Sequence, residues 1–210
     1  MTSMRVIAVA AVIAVAAVAT AAAVAQTGSH NTADASYGTS MAMPMDHASA
    51  AELPAGQLVQ ARLATARYAN DLAAAKADGY SILTKLMPGM GLHYINPKVK
   101  GFDVRKPPIL VYEHRGSRWQ LGALEWVFPA KPSKPPLEGA TYGSFPAACH
   151  YADGTWVPQA AQAGCASKSP VSGARFGFWH PRLVTMHVWI WYPNPDGLYA
   201  STNPLVHAFS

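Results

Sequence analysis

The sequence predicts an α+β domain, with one N-terminal amphipathic helix packed on an antiparallel sheet or a small β-barrel. Three observations carry this. Apolar residues recur at three- and four-residue steps from about Pro54 to Ala77. Beyond Gly79 the pattern changes to short apolar runs punctuated by proline and glycine. No Gly-rich phosphate loop and no alternating βαβ pattern is present, which argues against nucleotide binding and a parallel sheet.

The chain opens with a signal-like leader. Arg5 and the amino terminus give a positive start, and an apolar run follows from Val6 to about Val24. It closes on Ala23-Val24-Ala25, a small-x-small pattern, which predicts cleavage before Gln26. Residues 1–25 are thus read as a signal peptide, and the protein as secreted or periplasmic, with no membrane span after cleavage. The competing reading is a retained anchor, because the run approaches the roughly 20 residues a bilayer requires. Residues 26–52 are small and polar without a hydrophobic period, and read as a disordered tail. That tail contains Met41, Met43, Met45 and His47, soft donors that suit copper. Residues 53–210 are read as a single domain, large enough to bury its own core.

In the helical segment, Leu58, Ala61, Ala64, Tyr68, Leu72 and Ala75 form the inner stripe. Arg67 and Asp71 fall one turn apart on the outer side, and Asp78-Gly79 supplies a stop. Strands are predicted at Ile109–Glu113, Arg118–Phe128 and Leu183–Tyr192, with a hairpin turn at Arg115-Gly116-Ser117. A proline-rich loop runs from Pro129 to Pro136. Asn-Pro steps at Asn96, Asn194 and Asn203 mark turns that end extended segments.

The formal charge is +5 and the pI near 9.3, yet the basic residues are scattered apart from Lys98, Lys100, Arg105 and Lys106. No nucleic-acid-binding signature accompanies them, so nucleic acid is not an expected partner. The two cysteines, Cys149 and Cys165, fit no metal or redox spacing. In an exported chain they are expected to form a disulfide, stapling a loop at a gain of about 3 kcal/mol.

Candidate site residues are polar groups inside apolar strands. Glu113, Glu125 and His187 lie in such runs, and His93 precedes an Asn-Pro turn. Buried carboxylates and imidazoles are costly unless paired, hydrogen-bonded or bound to metal. Two histidines and a carboxylate suit zinc, copper or non-haem iron. A three-residue hairpin loop would pair Glu113 with Trp119 and place Glu125 roughly 20 Å further along the strand. A two-residue turn would put the two glutamates on opposite faces. Either way they cannot share an ion unless a bulge or bend intervenes. Glu125, with strong apolar neighbours on both sides, is therefore taken with His93 and His187 as the metal site, for copper or zinc. Glu113, His150 and His180 are secondary candidates.

The bland alternative is structural: a strand glutamate pairs with Arg118, Arg175 or Arg182, and a strand histidine bonds a carbonyl or faces water. A second functional class uses the aromatics, with Trp189 and Trp191 stacking a glycan or an apolar ligand. No serine lies in a nucleophile-elbow context, and the sequence assigns no reaction.

Several motifs resemble a group of secreted bacterial proteins with no assigned activity. They are Ala77 to Tyr80 (ADGY), Met90 to Pro97 (MGLHYINP), Leu110 to Glu113 (LVYE) and His187 to Gly197 (HVWIWYPNPDG), followed by Asn203-Pro204. The resemblance spans about Tyr68 to Val206. It implies secretion and assigns no site residue.

Overall fold

A computed structural model describes residues 54–206 of the chain. The leader, the whole polar tail with its Met/His tract, and His207 lie outside the described residues.

Most of the regular structure among the described residues is antiparallel sheet. β1 (Ser81–Met87), β2 (Gly91–Ile95), β3 (Ile109–Arg115), β4 (Arg118–Phe128), β5 (Gly143–Phe145) and β9 (Leu183–Val188) form one six-stranded sheet. Its order is β1-β2-β3-β4-β9-β5, an open sheet with β1 and β5 at the edges. A second, three-stranded sheet has β6 (Ala148–Tyr151) between β7 (Trp156–Pro158) and β8 (Phe176–His180). It docks on β1 through Lys85 N–H, which donates to Gly154 O at 2.8 Å.

The predicted helix is present in two pieces, α1 (Pro54–Thr65) and α2 (Leu72–Ala77), with a 3-10 turn at Ala66–Tyr68 between them. The break has a local cause. Asp71 caps α2 by accepting from Ala74 N–H at 2.9 Å, which starts a new helix rather than continuing the old one. Asp71 is therefore not the partner of Arg67, whose guanidinium instead pairs with Asp78 at 3.0 Å. Gly79, with φ +97, ends α2 as expected.

The helices cover one face of the large sheet. Leu110, Tyr112, Leu121, Leu124, Trp126, Met186 and Val188 are buried there with Ala61, Leu72 and Ala75. The opposite face carries a second apolar cluster of Ile109, Val111, Ala123 and Trp189. β3 and β4 are thus buried on both sides, and their near-continuous apolar runs follow from that.

The β3–β4 hairpin differs from the three-residue expectation. Arg115 pairs with Arg118, so the turn is the two residues Gly116-Ser117. Glu113 consequently pairs with Gln120. Val111 pairs with Ala123 while Tyr112 pairs with Leu121, which leaves Gly122 as a bulge. The bulge reverses the alternation of β4. Leu121 and Leu124, three apart, share the helix side, and Ala123 and Val127 share the other. Glu113 and Glu125 end up on one face in spite of the two-residue turn.

β9 is shorter than expected and ends at Val188. There the backbone turns, with Ile190 N–H donating to Val188 O. The three Asn-Pro steps share one device. Each asparagine Oδ1 accepts the N–H two residues on, from Lys98, Asp196 and Leu205. Proline has no N–H of its own, so the side chain closes the turn on the next donor. Cys149 and Cys165 are bonded, as expected, with Cα atoms 5.7 Å apart.

Gly91 has φ +95, and a Cβ there would collide with the Tyr112 carbonyl oxygen of β3. Gly116, with φ +59, has open space around it. In urea unfolding, Gly91→Ala is expected to cost more than about 2 kcal/mol and Gly116→Ala about 1 kcal/mol. Equal losses would contradict the close approach of β2 to β3.

Candidate metal centre

The face of the large sheet turned away from the helices carries His93, Glu125 and His187 close together. Glu125 on β4 lies directly across from His187 on β9. His93 on β2 pairs with Val111, which pairs with Ala123, two positions before Glu125 on the same face. The strand order therefore brings together residues from three strands separated widely in sequence. All three are buried, with relative exposures of 4% for His93, 5% for Glu125 and 3% for His187.

The geometry is tight. His93 Nε2 lies 3.6 Å from Glu125 Oε2, and His187 Nε2 lies 3.6 Å from Glu125 Oε1. One donor atom from each residue lies within 4.8 Å of the others. His93 is oriented by Thr84 of β1, whose Oγ1 is 2.8 Å from Nδ1. With Nδ1–H donating to that hydroxyl, the Nε2 lone pair faces Glu125. His187 has no such support: among the described residues neither of its buried ring nitrogens has a hydrogen-bond partner.

Burial sets the charge of the group. Desolvation pushes Glu125 up from 4.5 to about 8. Desolvation, with the neighbouring His187 and His150, pushes His93 down to about 3. Desolvation pushes His187 down to about 4. Near neutral pH the trio therefore holds two neutral imidazoles and a protonated carboxyl.

The trio lines a cavity of about 100 Å³. Ile95, Val127 and Leu183 of the large sheet form apolar parts of its wall, and His150, Phe178 and His180 of the small sheet line it too. His150 on β6 and His180 on β8 reach the cavity from that second sheet, and their Nε2 atoms are 3.0 Å apart. Desolvation holds His150 down at about 4.

Glu113 takes no part. It shares the face with Glu125 but pairs with Arg115 at 2.7 Å, an arginine other than the three expected as partners of a strand glutamate. It sits opposite Gln120, while Ile109, four residues back along β3, sits opposite Glu125. Trp189 is buried, packs beside His187 with ring centroids 6.2 Å apart, and donates from Nε1 to Ala200 O. Trp191 does not share its side. It donates to Thr65 Oγ1 of α1 and lies under the Arg62 guanidinium, 4.3 Å from the ring centroid. Sequence reasoning missed Thr84, since nothing in Ser-Ile-Leu-Thr-Lys-Leu marks a hydroxyl as the support of a histidine one strand away.

Comparison with known proteins finds no matching family model, curated protein or solved structure.

The burial shifts give metal-free protein a characteristic stability profile. His93, His187 and His150 are held below the ordinary 6.5, so their contribution is full above pH 6.5 and is lost as pH falls towards 4. Glu125 is held above 4.5, so its contribution is full below pH 4.5 and is lost as pH rises to about 8. Three groups outweigh one below pH 6.5, and Glu125 acts alone above it. Thermal melts in chelator are expected to show Tm rising to about pH 6.5 and falling towards pH 8. Glu125→Gln should remove the fall. A wild-type Tm that climbs steadily to pH 8 would contradict the assignment.

Proposed function

We propose that this chain is an exported metal-binding protein in which His93, Glu125 and His187 hold one transition-metal ion, zinc or copper(II). The observation that carries the reading is the His187 ring. A buried nitrogen without a partner costs about 1–3 kcal/mol. Its Nε2 stands 3.6 Å from the Glu125 carboxylate, too far for a hydrogen bond. Two donors that bind one ion at about 2.0–2.2 Å, with a near-tetrahedral angle, stand about 3.4 Å apart. Both contacts to Glu125 lie close to that spacing, each through a different carboxylate oxygen, so one ion would be held by a chelating carboxylate. The spacing is poor for hydrogen bonding and good for coordination.

Two further features support it. The contact between Thr84 and His93 Nδ1 is the kind of outer hydrogen bond that orients a ligating histidine. The donor set of two imidazoles and one carboxylate is one that zinc and copper accept, and it leaves a coordination position open to water or a small ligand. Export is supported by the Cys149–Cys165 disulfide and by the leader pattern. Among the described residues no helix is long and apolar enough to cross a membrane. The aromatic-face alternative has less support, because Trp189 is buried and Trp191 is covered by Arg62.

The test is metal content. Full-length oxidised protein, stripped with chelator and dialysed against zinc, is expected to hold a stoichiometric equivalent that His187→Ala removes. Thr84→Val should weaken that equivalent about 10–100-fold. Unchanged zinc content in His187→Ala sinks the proposal.

The pH dependence of binding follows from the carboxyl. Binding expels the Glu125 proton, while both histidines are already neutral above about pH 5. Affinity for this equivalent should therefore rise about tenfold per pH unit from pH 5 to 8. The slope should vanish in Glu125→Gln, and isothermal titration in buffers of different ionisation enthalpy would count the proton released.

A further inference from the structure

The His150–His180 pair contains a contradiction that hydrogen bonding between neutral rings cannot resolve. His150 Nδ1 lies 3.1 Å from Leu83 O, and His180 Nδ1 lies 2.6 Å from Pro181 O. A carbonyl oxygen only accepts, so each Nδ1 carries its proton and donates it. In a neutral imidazole the other nitrogen is then a bare lone pair. The two Nε2 atoms face each other at 3.0 Å. Two lone pairs at that distance repel unless a cation lies between them or beside them.

We propose that His150 and His180 form a second metal site, distinct from the His93–Glu125–His187 trio, that takes a divalent transition-metal ion of the imidazole-binding class. Both rings are arranged as ligating histidines are, with Nδ1–H bonded to a backbone carbonyl and Nε2 presented to the ion. Two Nε2 donors about 2.0–2.1 Å from one ion stand about 3.0 Å apart at an angle near 95°. The rings are also held in place. Phe178 stacks on His150 with centroids 4.8 Å apart and planes 7° apart, and Phe145 lies 5.5 Å from the His180 ring. The cavity side leaves room for water or a ligand to complete the coordination.

The site is carried by other strands than the trio, and the inference stands without it. Zinc is the probe. Equilibrium dialysis of metal-free, full-length oxidised protein is expected to give two zinc ions per chain. His150→Phe, His180→Phe and His187→Ala should each retain one, and His150→Phe combined with His187→Ala none. Imidazole ¹⁵N spectra of the wild type provide a second readout that needs no variant. The Nε2 signals of both His150 and His180 should move to metal-bound positions while both Nδ1 signals stay protonated. One zinc that His187→Ala removes and His150→Phe retains would overturn the second site. So would Nε2 signals that do not move at saturating zinc, the behaviour of a pair that shares a proton. One zinc that His150→Phe removes and His187→Ala retains would uphold the pair and overturn the trio.

Discussion

The central constraint is that β4 must satisfy two different faces, and the one-residue bulge at Gly122 is what permits it. Before the bulge, Trp119 and Leu121 point to the helix side; after it, Leu124, Trp126 and Phe128 do. Without the extra residue, strict alternation would keep Leu121, Ala123 and Glu125 on one side. A carboxylate would then enter the helix-covered core, and Trp126 would turn to the cavity. Gly122 suits the position for a packing reason. A Cβ there would stand 3.3 Å from Cζ3 of Trp189, and its carbonyl accepts from both Trp191 and Tyr192 N–H at 3.2 Å. The bulge thus sets the register of β4 and anchors the chain as it leaves β9.

A second bulge does related work on β1. Ile82 pairs with Tyr94 and Thr84 with His93, so Leu83 is the extra residue. An unpaired residue has a carbonyl to spare. That carbonyl is the one His150 Nδ1–H reaches from the small sheet. The same irregularity therefore sets Thr84 beside His93 and offers an anchor to His150. Neither result follows from an ideally paired strand.

Much of the architecture was legible before any coordinates. The limits of β4, the stop at Gly79 and the disulfide all follow from local chemistry: an apolar run, a glycine after a helix, two cysteines in an exported chain. The trio was legible for a related reason. His93, Glu125 and His187 are costly residues in apolar strands, and cost marks them whatever the topology. The failures were of register and length. Asp71 reads equally well as a salt-bridge partner or a cap, and only the start of α2 decides. The two-residue turn and the Gly122 bulge each shift parity by one, so an inference about Glu113 and Glu125 from either alone goes astray. β5 to β8 are three to five residues long, too short to show a period. The roles of His150 and His180 depended on those strands and on which carbonyl each ring meets.

The small sheet also gives the disulfide a meaning beyond loop closure. Adjacent residues of a strand point to opposite faces, so on β6 the bonded Cys149 and the cavity-facing His150 are held by one short piece of backbone. Four residues of strand have little stiffness of their own. The Cys149–Cys165 bond ties one side of that strand, and the His150–Leu83 hydrogen bond ties the other to β1. The large sheet holds its trio by burial between long strands. The central strand of the small sheet is buried too, but it is only four residues long and has a covalent tie in addition. Two walls of one cavity, built by different means, thus present imidazole nitrogens to the same enclosed space.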